Sequence, residues 1–480
     1  MKPKSLSAWV GKGSPIRELV KLQRRPTDFR FHVWGTRISQ DLEARLPETA
    51  DRFVGCGISE ENENAIASAC GEALERYVFA LTEDLLAELP IQNPDNSLST
   101  DFIFNLPFLL PKTISRKTWC QQAINSPHRI LPAWKLDPNS PNYQLPITNY
   151  QLPVEFLIQN ESINLFQTTN GMACGMTLAD AIDRGLREVI ERDALMLVWL
   201  YKNGGTFIDY STILPDNYLE QVQRMANRGI KTIIRDISTE FGYKVILAII
   251  GNFPETGSPI FAFGAGAAVN INDAARHAFR EACLGWKGVS WRVGLSGLRQ
   301  DVSEGEEAIP RSFAQHSELY FDSEMVSQVS FLFDERAGEE CRGGFYQPSL
   351  TQTDNLNKPA PLAEAEPASL AEAEPLVYRS QVEPGNELIG KPGNELIGKP
   401  GNELIGNYQL LKDIFVLDLT TPDVREMGAY VVKVIVPGLV PFYFADLGTD
   451  ELAANRLPTT IGGINIDRDA TINTMPHPWP

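Results

Sequence analysis

Two short stretches of the sequence repeat one order of acidic and basic side chains. The stretch GEALERY covers residues 71–77 and the stretch REVIERD covers residues 187–193. Their charged side chains are Glu72, Glu75 and Arg76 in the first and Glu188, Glu191 and Arg192 in the second. On a helix, residues three apart are neighbours, so each stretch places two carboxylates side by side. Facing each other, the four would supply the hard oxygen ligands that Mg²⁺ prefers, and the adjacent guanidinium groups fit phosphate.

The alternative is ordinary surface charge. A solvated amphipathic helix has a polar face in any case, and the pattern ExxER is common enough to arise by chance. Here the pattern occurs twice, each time after a glycine-rich stretch and a helix-capping residue. This recurrence favours one shared Mg²⁺–phosphate site over two unrelated surfaces.

The elements that carry these residues are predicted to be helices at about residues 60–82 and 178–200. The first follows VGCGIS, with Ser59 as N-cap, and the second follows TTNGMACGMT, with Thr177 and Asp180 in a capping-box pattern. Asp193 falls on the apolar side of the second helix, which predicts a buried partner for its charge.

A third helix at about 273–287 repeats the plan in part. In GAGAAVNINDAARHAFREACLGW, Glu281 aligns with the first glutamate of each stretch, but Leu284 and Gly285 replace the second glutamate and the arginine. We interpret the three segments as degenerate copies of one glycine loop–helix unit.

The glycine stretch before the first helix is not expected to bind the phosphate that the carboxylates hold. Glu72 lies about thirteen residues beyond Ser59, which is about 20 Å along a helix. The sequence also contains no GxxxxGK[ST], so a P-loop is excluded.

The remaining pattern predicts an α+β protein with mixed sheets. Apolar, β-branched runs bounded by turn residues predict strands in KTIIRDIS, YKVILAIIG, DIFVLDLT and AYVVKVIVPG. Two stretches are predicted to lie outside the core: the tandem repeat NYQLPITNYQLP at 142–153, and residues 347–407, which repeat PGNELIGK. Because Pro-Gly at this spacing breaks helices and strands, we interpret 347–407 as a disordered low-complexity insert, with a functional repeat as the alternative.

Composition restricts the partners. The chain of 480 residues has a net charge of −18, which argues against binding nucleic acid or an anionic membrane surface. It has no run of apolar residues long enough to span a membrane. None of its six cysteines forms a CxxC pair, which is typical of reduced thiols in a cytoplasmic protein.

The ordered motifs resemble the YcaO family, and most closely its azoline-forming cyclodehydratases. The resemblance is carried by GCGIS, AIASACGEALERY, TTNGMACGMTLADAIDRGLREVIERDA, AARHAFREA, VIVPGLVPF and the terminal PHPWP, in this order. It covers residues 50–480 apart from the two inserts. The implied domains are an N-terminal segment at 1–49, an ATP-binding core at 50–346 and a C-terminal part at 408–480 that ends in a PxPxP tail.

The resemblance implies ATP-dependent modification of the backbone of a ribosomally made precursor peptide. A Cys, Ser or Thr side chain attacks the preceding amide, ATP phosphorylates the oxyanion, and loss of phosphate leaves a thiazoline or oxazoline ring. The implied Mg²⁺ ligands are Glu72, Glu75, Glu188 and Glu191. The implied ATP-binding residues are Ser68, Arg76, Asn170, Arg192 and Glu281. The terminal carboxylate of Pro480 is the implied catalytic group, with His477 as an alternative base.

The resemblance also implies partners. They are an E1-like protein that binds the leader of the precursor peptide, a flavin dehydrogenase in the same pathway, and a second copy of this chain in a homodimer. This chain departs from the family pattern at Cys56, where a lysine is frequent, and at Leu284 and Trp286, where polar residues help to hold nucleotide. The departures at Leu284 and Trp286 leave a scaffold subunit with weakened catalysis as an alternative. A YcaO enzyme that makes another change, such as a thioamide, is a second alternative, against which the PxPxP end argues.

Overall fold

The structure is a computed structural model, and it describes most of the chain outside the predicted insert. The described residues are 9–25, 28–46, 53–87, 89, 91–92, 99–111, 114–124, 128–136, 149–153, 169–253, 259–296, 313–322, 325–334, 411, 413–443, 447–448, 451–452, 456, 460–466 and 471–479. The predicted insert at 347–407 lies outside them, as does Pro480.

Helices and strands alternate along the described chain. The helices are α1 (Gln40–Glu43), α2 (Asn62–Ala87), α3 (Thr100–Phe104), α4 (Arg116–Ala123), α5 (Leu178–Leu200), α6 (Asp216–Ala226), α7 (Ile271–Ser296), α8 (Phe313–Glu318) and α9 (Pro422–Glu426). The strands are β1 (Glu18–Lys21), β2 (His32–Arg37), β3 (Gly55–Ser59), β4 (Ile91–Gln92), β5 (Leu110–Pro111), β6 (His128–Leu136), β7 (Asn149–Pro153), β8 (Met172–Gly175), β9 (Thr206–Ile208), β10 (Lys231–Asp236), β11 (Lys244–Asn252), β12 (Ile260–Ala268), β13 (Ile414–Asp418), β14 (Tyr430–Ile435), β15 (Leu447–Gly448), β16 (Thr460–Ile461) and β17 (Ile464–Asn465).

Three antiparallel sheets form the framework of the described residues. The first has the order β1-β2-β3, the second β12-β11-β10-β9, and the third β4-β6-β13-β14-β8 with β7 paired to β6. The predicted α+β class is confirmed, and the four predicted strands are β10, β11, β13 and β14.

The three long helices connect these sheets in a closed circle. Helix α2 packs on β2 and β3 of the first sheet and on β8 of the third. Helix α5 packs on β8 and β14 of the third sheet and on β12 of the second, and α7 packs on β11 and β12 and returns to β3. The two ExxE segments and the matching segment around Glu281 therefore each lie on a helix that touches two sheets, and all three face a common centre.

The glycine-rich stretches are strands that lie directly against the helices. A Cβ at Gly57 would stand 2.0 Å from the carbonyl oxygen of Ala65, and one at Gly266 would stand 2.4 Å from that of Ala274. Only glycine permits this approach of strand backbone to helix backbone. The same strand-on-helix contact joins β3 to α2 and β12 to α7.

Local signals on the second helix are confirmed. Thr177 Oγ1 accepts a hydrogen bond from the Asp180 backbone at 3.1 Å, and Asp180 Oδ2 accepts one from the Met176 backbone at 3.2 Å. Asp193 is fully buried and pairs with Arg456 at 3.0 Å. By contrast, α2 begins at Asn62, because Ser59 is the last residue of β3.

The tandem repeat contributes to the core, so the prediction that 142–153 lies outside it is wrong for the second copy. Residues Asn149–Pro153 form edge strand β7, and Leu152 is fully buried in an apolar cluster with α2 and the third sheet. The segment alternates apolar and polar residues, which suits an edge strand, and Pro153 is tolerated there because an edge needs no inner hydrogen bond. Residues 142–148 lie outside the described residues.

No helix in the described part is long and apolar enough to cross a membrane.

The close approach of β3 to α2 can be tested with two glycine substitutions. We expect Gly57→Ala to lower the free energy of unfolding by about 2–4 kcal/mol, because the new methyl group would collide with helix backbone. Gly288→Ala in α7 is the control. Its Cβ would meet nothing closer than Arg292 Nη1 at 3.5 Å, so stability should stay equal or rise by up to about 1 kcal/mol. Urea unfolding measures both, and equal effects would contradict the packing described.

Candidate active site

Five glutamates from the three long helices meet at the centre of the circle. Electrostatic interactions link Glu75 to Glu72 and Glu188, Glu191 to Glu188 and Glu281, and Glu281 to Glu72. The side chains of Glu72 and Glu188 are 38% and 25% exposed, so water reaches the site. We call these five residues the glutamate recess. It contains the four predicted Mg²⁺ ligands together with Glu281 of the third segment.

The pKa values of the recess glutamates are raised. Burial, and next the charge of Glu188, raises the pKa of Glu75 to about 8. Burial also raises the pKa of Glu191 and of Glu281 to about 7 and that of Glu188 above its usual range, although Arg192 opposes the shift in all three. The positive charge near these carboxylates is therefore too small to offset the cost of ionising them.

Backbone N–H groups of the glycine-rich strands point at the recess. Glu72 Oε2 accepts a hydrogen bond from the Cys56 backbone N–H at 2.9 Å, and Glu75 Oε1 accepts one from Cys174 at 2.7 Å. The expectation that the first glycine stretch lies about 20 Å from Glu72 is wrong. The stretch is strand β3, which runs back along α2, so Cys56 lies beside Glu72 although Ser59 is far from it along the helix axis.

Two arginines flank the recess in matching positions. Arg76 Nη2 lies 3.7 Å from Glu72 Oε1, and Arg192 Nη2 lies 3.7 Å from Glu188 Oε1. These distances exceed a hydrogen bond, so each guanidinium group is attracted to its glutamate without being fixed by it. Arg76 also donates to Thr169 Oγ1 at 2.9 Å. The pair is placed where two planar cations could contact phosphate oxygens.

Lys433 is a buried cation that the sequence analysis missed. It lies on β14, is 5% exposed, and donates to the Asn170 carbonyl oxygen at 2.9 Å. Burial lowers the pKa of Lys433 to about 8, although the charge of Glu188 opposes the shift. A single lysine within the apolar run VVKVIV was the available signal, because a charged side chain in a buried strand requires a specific partner.

The other predicted residues lie at the edge of the recess or outside the described residues. Ser68 is exposed, one helical turn before Glu72, and Asn170 is 8% exposed, two residues before β8 begins. In α7, Leu284 and Trp286 pack in the main apolar core, so these two positions place no polar group in the recess. Pro480 lies outside the described residues.

The last described residues of the C-terminal tail, 477–479, are buried. His477 Nε2 donates to the Tyr443 carbonyl oxygen at 2.7 Å, and the carbonyl oxygen of His477 accepts from His316 Nδ1 at 2.9 Å. Trp479 packs edge-on against Phe263, with the ring centroids 4.9 Å apart. Burial holds the pKa of His477 well below its usual value, so this histidine packs the tail and is a poor candidate for the base.

The recess suits Mg²⁺ in its chemistry, although its side chains are not arranged as a closed chelate. Among the described residues, no three His, Cys, Asp or Glu side chains stand close enough to hold an ion as they are. Clustered carboxylates with raised pKa values nevertheless form a set of hard oxygen donors that a divalent cation would stabilise. We expect Mg²⁺ to draw Glu72 and Glu75 away from their backbone partners.

Comparison with known proteins identifies the family. Residues 55–364 match the family described as YcaO cyclodehydratase, ATP- and Mg²⁺-binding. An uncharacterised protein of Methanothermobacter thermautotrophicus is 24% identical over 281 residues, which is 58% of each chain. This chain therefore spans little more than half of that relative.

Solved structures share the fold. A heterocyclase in complex with substrate and cofactor has 17% sequence identity and a TM-score of 0.59, over 97% of this chain and 55% of that one. The E. coli microcin synthetase McbBCD complex with pro-MccB17 bound has 14% identity and a TM-score of 0.51, over 88% of this chain and 87% of that one. The residues 55–364 that match the family model include all five glutamates of the recess.

The charge of the recess predicts how stability depends on pH. The pKa of Glu75 is about 8, above its ordinary 4.5, so the folded protein keeps a proton that the unfolded chain releases. Without metal, this contribution to the free energy of unfolding is complete below about pH 4.5 and is lost as the pH rises to about 8. Glu75→Gln should remove this pH dependence. At about pH 8.5 in EDTA its Tm should exceed that of the wild type by roughly 2–6 °C, because the variant has no carboxylate to ionise in the recess.

The same variant should respond less to ligand. Added Mg²⁺ and ATP stabilise the wild type at high pH, and we expect a smaller Tm increase in Glu75→Gln because one ligand is lost. Exposed Glu63, in the first turn of α2, provides the control variant Glu63→Gln. If the two variants unfold alike in EDTA and with Mg²⁺ and ATP, the assignment of Glu75 is wrong.

Proposed function

Because the chain belongs to the YcaO family, we propose that it is an ATP- and Mg²⁺-dependent cyclodehydratase that forms azoline rings in a peptide. ATP and Mg²⁺ follow from the family. The finer assignment depends on one observation: the proline-rich tail is buried beside the arginine that flanks the glutamate recess. Its His477 ring lies 5.2 Å from the ring of Phe442, which in turn lies 4.1 Å from the guanidinium carbon of Arg192. This proximity of His477 to Arg192 through Phe442 supports a role for the tail at the site.

The proposed substrate is a ribosomally made precursor peptide with Cys, Ser or Thr residues. Two proteins of the same fold are described with bound substrate or with pro-MccB17, and one of them is a complex of several proteins. Their identity to this chain is below 20%, so they support the fold, and the peptide substrate and an E1-like partner are part of the proposal. A flavin dehydrogenase that oxidises the ring and a homodimer are proposed on the family resemblance alone.

The proposed reaction removes one water molecule for each ring. The substrate thiol or hydroxyl loses its proton and adds to the preceding amide carbon, which places negative charge on the amide oxygen. That oxygen takes the terminal phosphoryl group of ATP, and ADP leaves. The amide nitrogen then loses its proton, the phosphorylated oxygen leaves as phosphate, and the C=N bond of the azoline forms.

In this reaction the protein mainly positions groups and balances charge, as phosphoryl transfer requires. Arg76 and Arg192 are the cations available for phosphate oxygens, since each is held only loosely by its glutamate. Lys433 fixes the loop at Asn170 through the backbone. The terminal carboxylate of Pro480 is proposed to accept the proton of the attacking side chain.

Mg²⁺ would be held by Glu72, Glu75, Glu188 and Glu191, with Glu281 alongside, and would supply positive charge against the phosphates of ATP. The glutamates themselves do not act as nucleophiles here. Their part is to hold the cation at the junction of the three helices.

The proposal is tested by incubating the protein with ATP, Mg²⁺, its partner and a Cys- or Ser-rich precursor peptide. We expect the peptide to lose the mass of one water per ring while ADP and phosphate accumulate. Glu191→Gln should weaken Mg·ATP binding by at least about tenfold in calorimetry, because a ligand to the cation is lost. Exposed Glu63→Gln is the matched control. Tight ATP binding by the wild type without any change in peptide mass would contradict azoline formation, whereas weak ATP binding by the wild type would favour a scaffold.

The role of the terminus has its own test. Deletion of Pro480 leaves the buried residues through Trp479 in place but moves the carboxylate. We expect ring formation to slow by roughly 10²–10⁴-fold, the usual contribution of general base catalysis, with Mg·ATP affinity and Tm unchanged. A two-glycine extension should have a similar effect, because it also displaces the carboxylate. Full activity of either variant would exclude the terminal carboxylate as the base.

A further inference from the structure

Residues 436–443 form a short segment that contacts both the second ExxER helix, α5, and the C-terminal tail. The segment leaves β14 and passes the end of the recess. On one side, the Val440 backbone N–H donates to Asp193 Oδ1 at 2.9 Å, and Phe442 lies under the guanidinium group of Arg192. On the other side, the carbonyl oxygen of Tyr443 accepts from His477.

Phe442 is the side chain that touches both neighbours. The guanidinium carbon of Arg192 stands 4.1 Å from the ring centroid, which is within the range of a cation–π contact. The His477 ring lies 5.2 Å from the same ring at an interplanar angle of 35°. Phe442 is 3% exposed and therefore has little freedom to move without both.

A buried ion pair holds this segment against the helix. Asp193 is fully buried, and its second oxygen accepts from Arg456 Nη2 at 3.0 Å. Arg456 Nη1 donates to Glu240 Oε1 at 2.7 Å, and its guanidinium carbon lies 4.6 Å from the ring centroid of Phe241. Because Asp193 follows Arg192 directly, whatever fixes Asp193 also fixes the helix turn that carries the arginine.

We propose that Phe442 is a positioning residue that sets Arg192 and the C-terminal tail together, and that the Asp193–Arg456 pair holds it in place through Val440. Neither Asp193 nor Phe442 touches the reacting atoms in this scheme. They act by fixing two groups that the proposed function assigns to the chemistry, so the inference rests on that function. One residue thereby couples the phosphate side of the site to the end of the chain.

The decisive variant is Phe442→Leu, which keeps the apolar volume nearly constant and removes the ring. We expect the Kd for Mg·ATP to rise roughly 3- to 10-fold as the cation–π contact is lost. In hydrogen–deuterium exchange, the amides of residues 472–479 should lose protection. Phe442→Tyr keeps the ring and should retain both the ATP affinity and the tail protection of the wild type. Both measurements use the full chain without peptide, so they hold even if the peptide reaction is different.

Phe415→Leu is the matched control. Phe415 is 1% exposed and lies on β13, in the apolar cluster that α2 forms with the third sheet. It should lose stability without any change in ATP affinity or tail protection. Asp193→Asn keeps an acceptor for Val440 but loses the charge opposite Arg456, and should shift both readouts in the direction of Phe442→Leu.

Two results would overturn the proposal. One is that Phe442→Leu and Phe415→Leu change ATP affinity and tail exchange equally, which would leave Phe442 with a purely structural role. The other is that only one of the two readouts responds to Phe442→Leu, which would show that the arginine and the tail are positioned separately. In a peptide assay, we expect Phe442→Leu to show a higher KM for ATP together with a lower kcat.

Discussion

The cost of ionising a cluster of glutamates away from water is the constraint around which this structure is arranged. Burial is the main cause of their raised pKa values, and mutual repulsion adds to it. The protein opposes this cost in three ways: backbone N–H groups from β3 and β8, guanidinium groups at 3.7 Å, and the buried amine of Lys433. These are not sufficient, since the pKa of Glu75 stays near 8 and that of Glu191 near 7. The metal-free recess therefore keeps protons that a divalent cation would displace.

The circle of helices and sheets explains why such an unfavourable cluster persists. Each long helix is clamped between two sheets, and strand glycines bring backbone to backbone at positions such as Gly57 and Gly266. The helices cannot separate to relieve the repulsion without opening an apolar interface, which costs far more than a raised pKa. Stability is thus supplied by packing, and charge is left for ligand binding.

Most residues of the candidate site could be predicted from the sequence, but only part of the fold could. Helical spacing and the repeated ExxER order located the recess glutamates and both arginines, and the apolar position of Asp193 correctly required a partner. The partner itself, Arg456, lies 263 residues away, and no local pattern reveals such a contact. The glycine stretch at 55–57 was predicted as a loop because glycine disfavours strands, whereas close contact with a helix is what requires glycine there. Leu152 was missed because its repeat resembled a linker.

Arg192 links the glutamate recess to the C-terminal tail. Arg192 opposes the raised pKa of both Glu188 and Glu191, so its position sets part of the proton affinity of the proposed metal ligands. Phe442 and the Asp193–Arg456 pair fix that position, and the same ring packs the tail. A shift of the tail would therefore change the charge balance of the glutamates through Phe442 and Arg192. In the proposed function, cation binding and the position of the tail would thus both depend on one packed segment, residues 436–443.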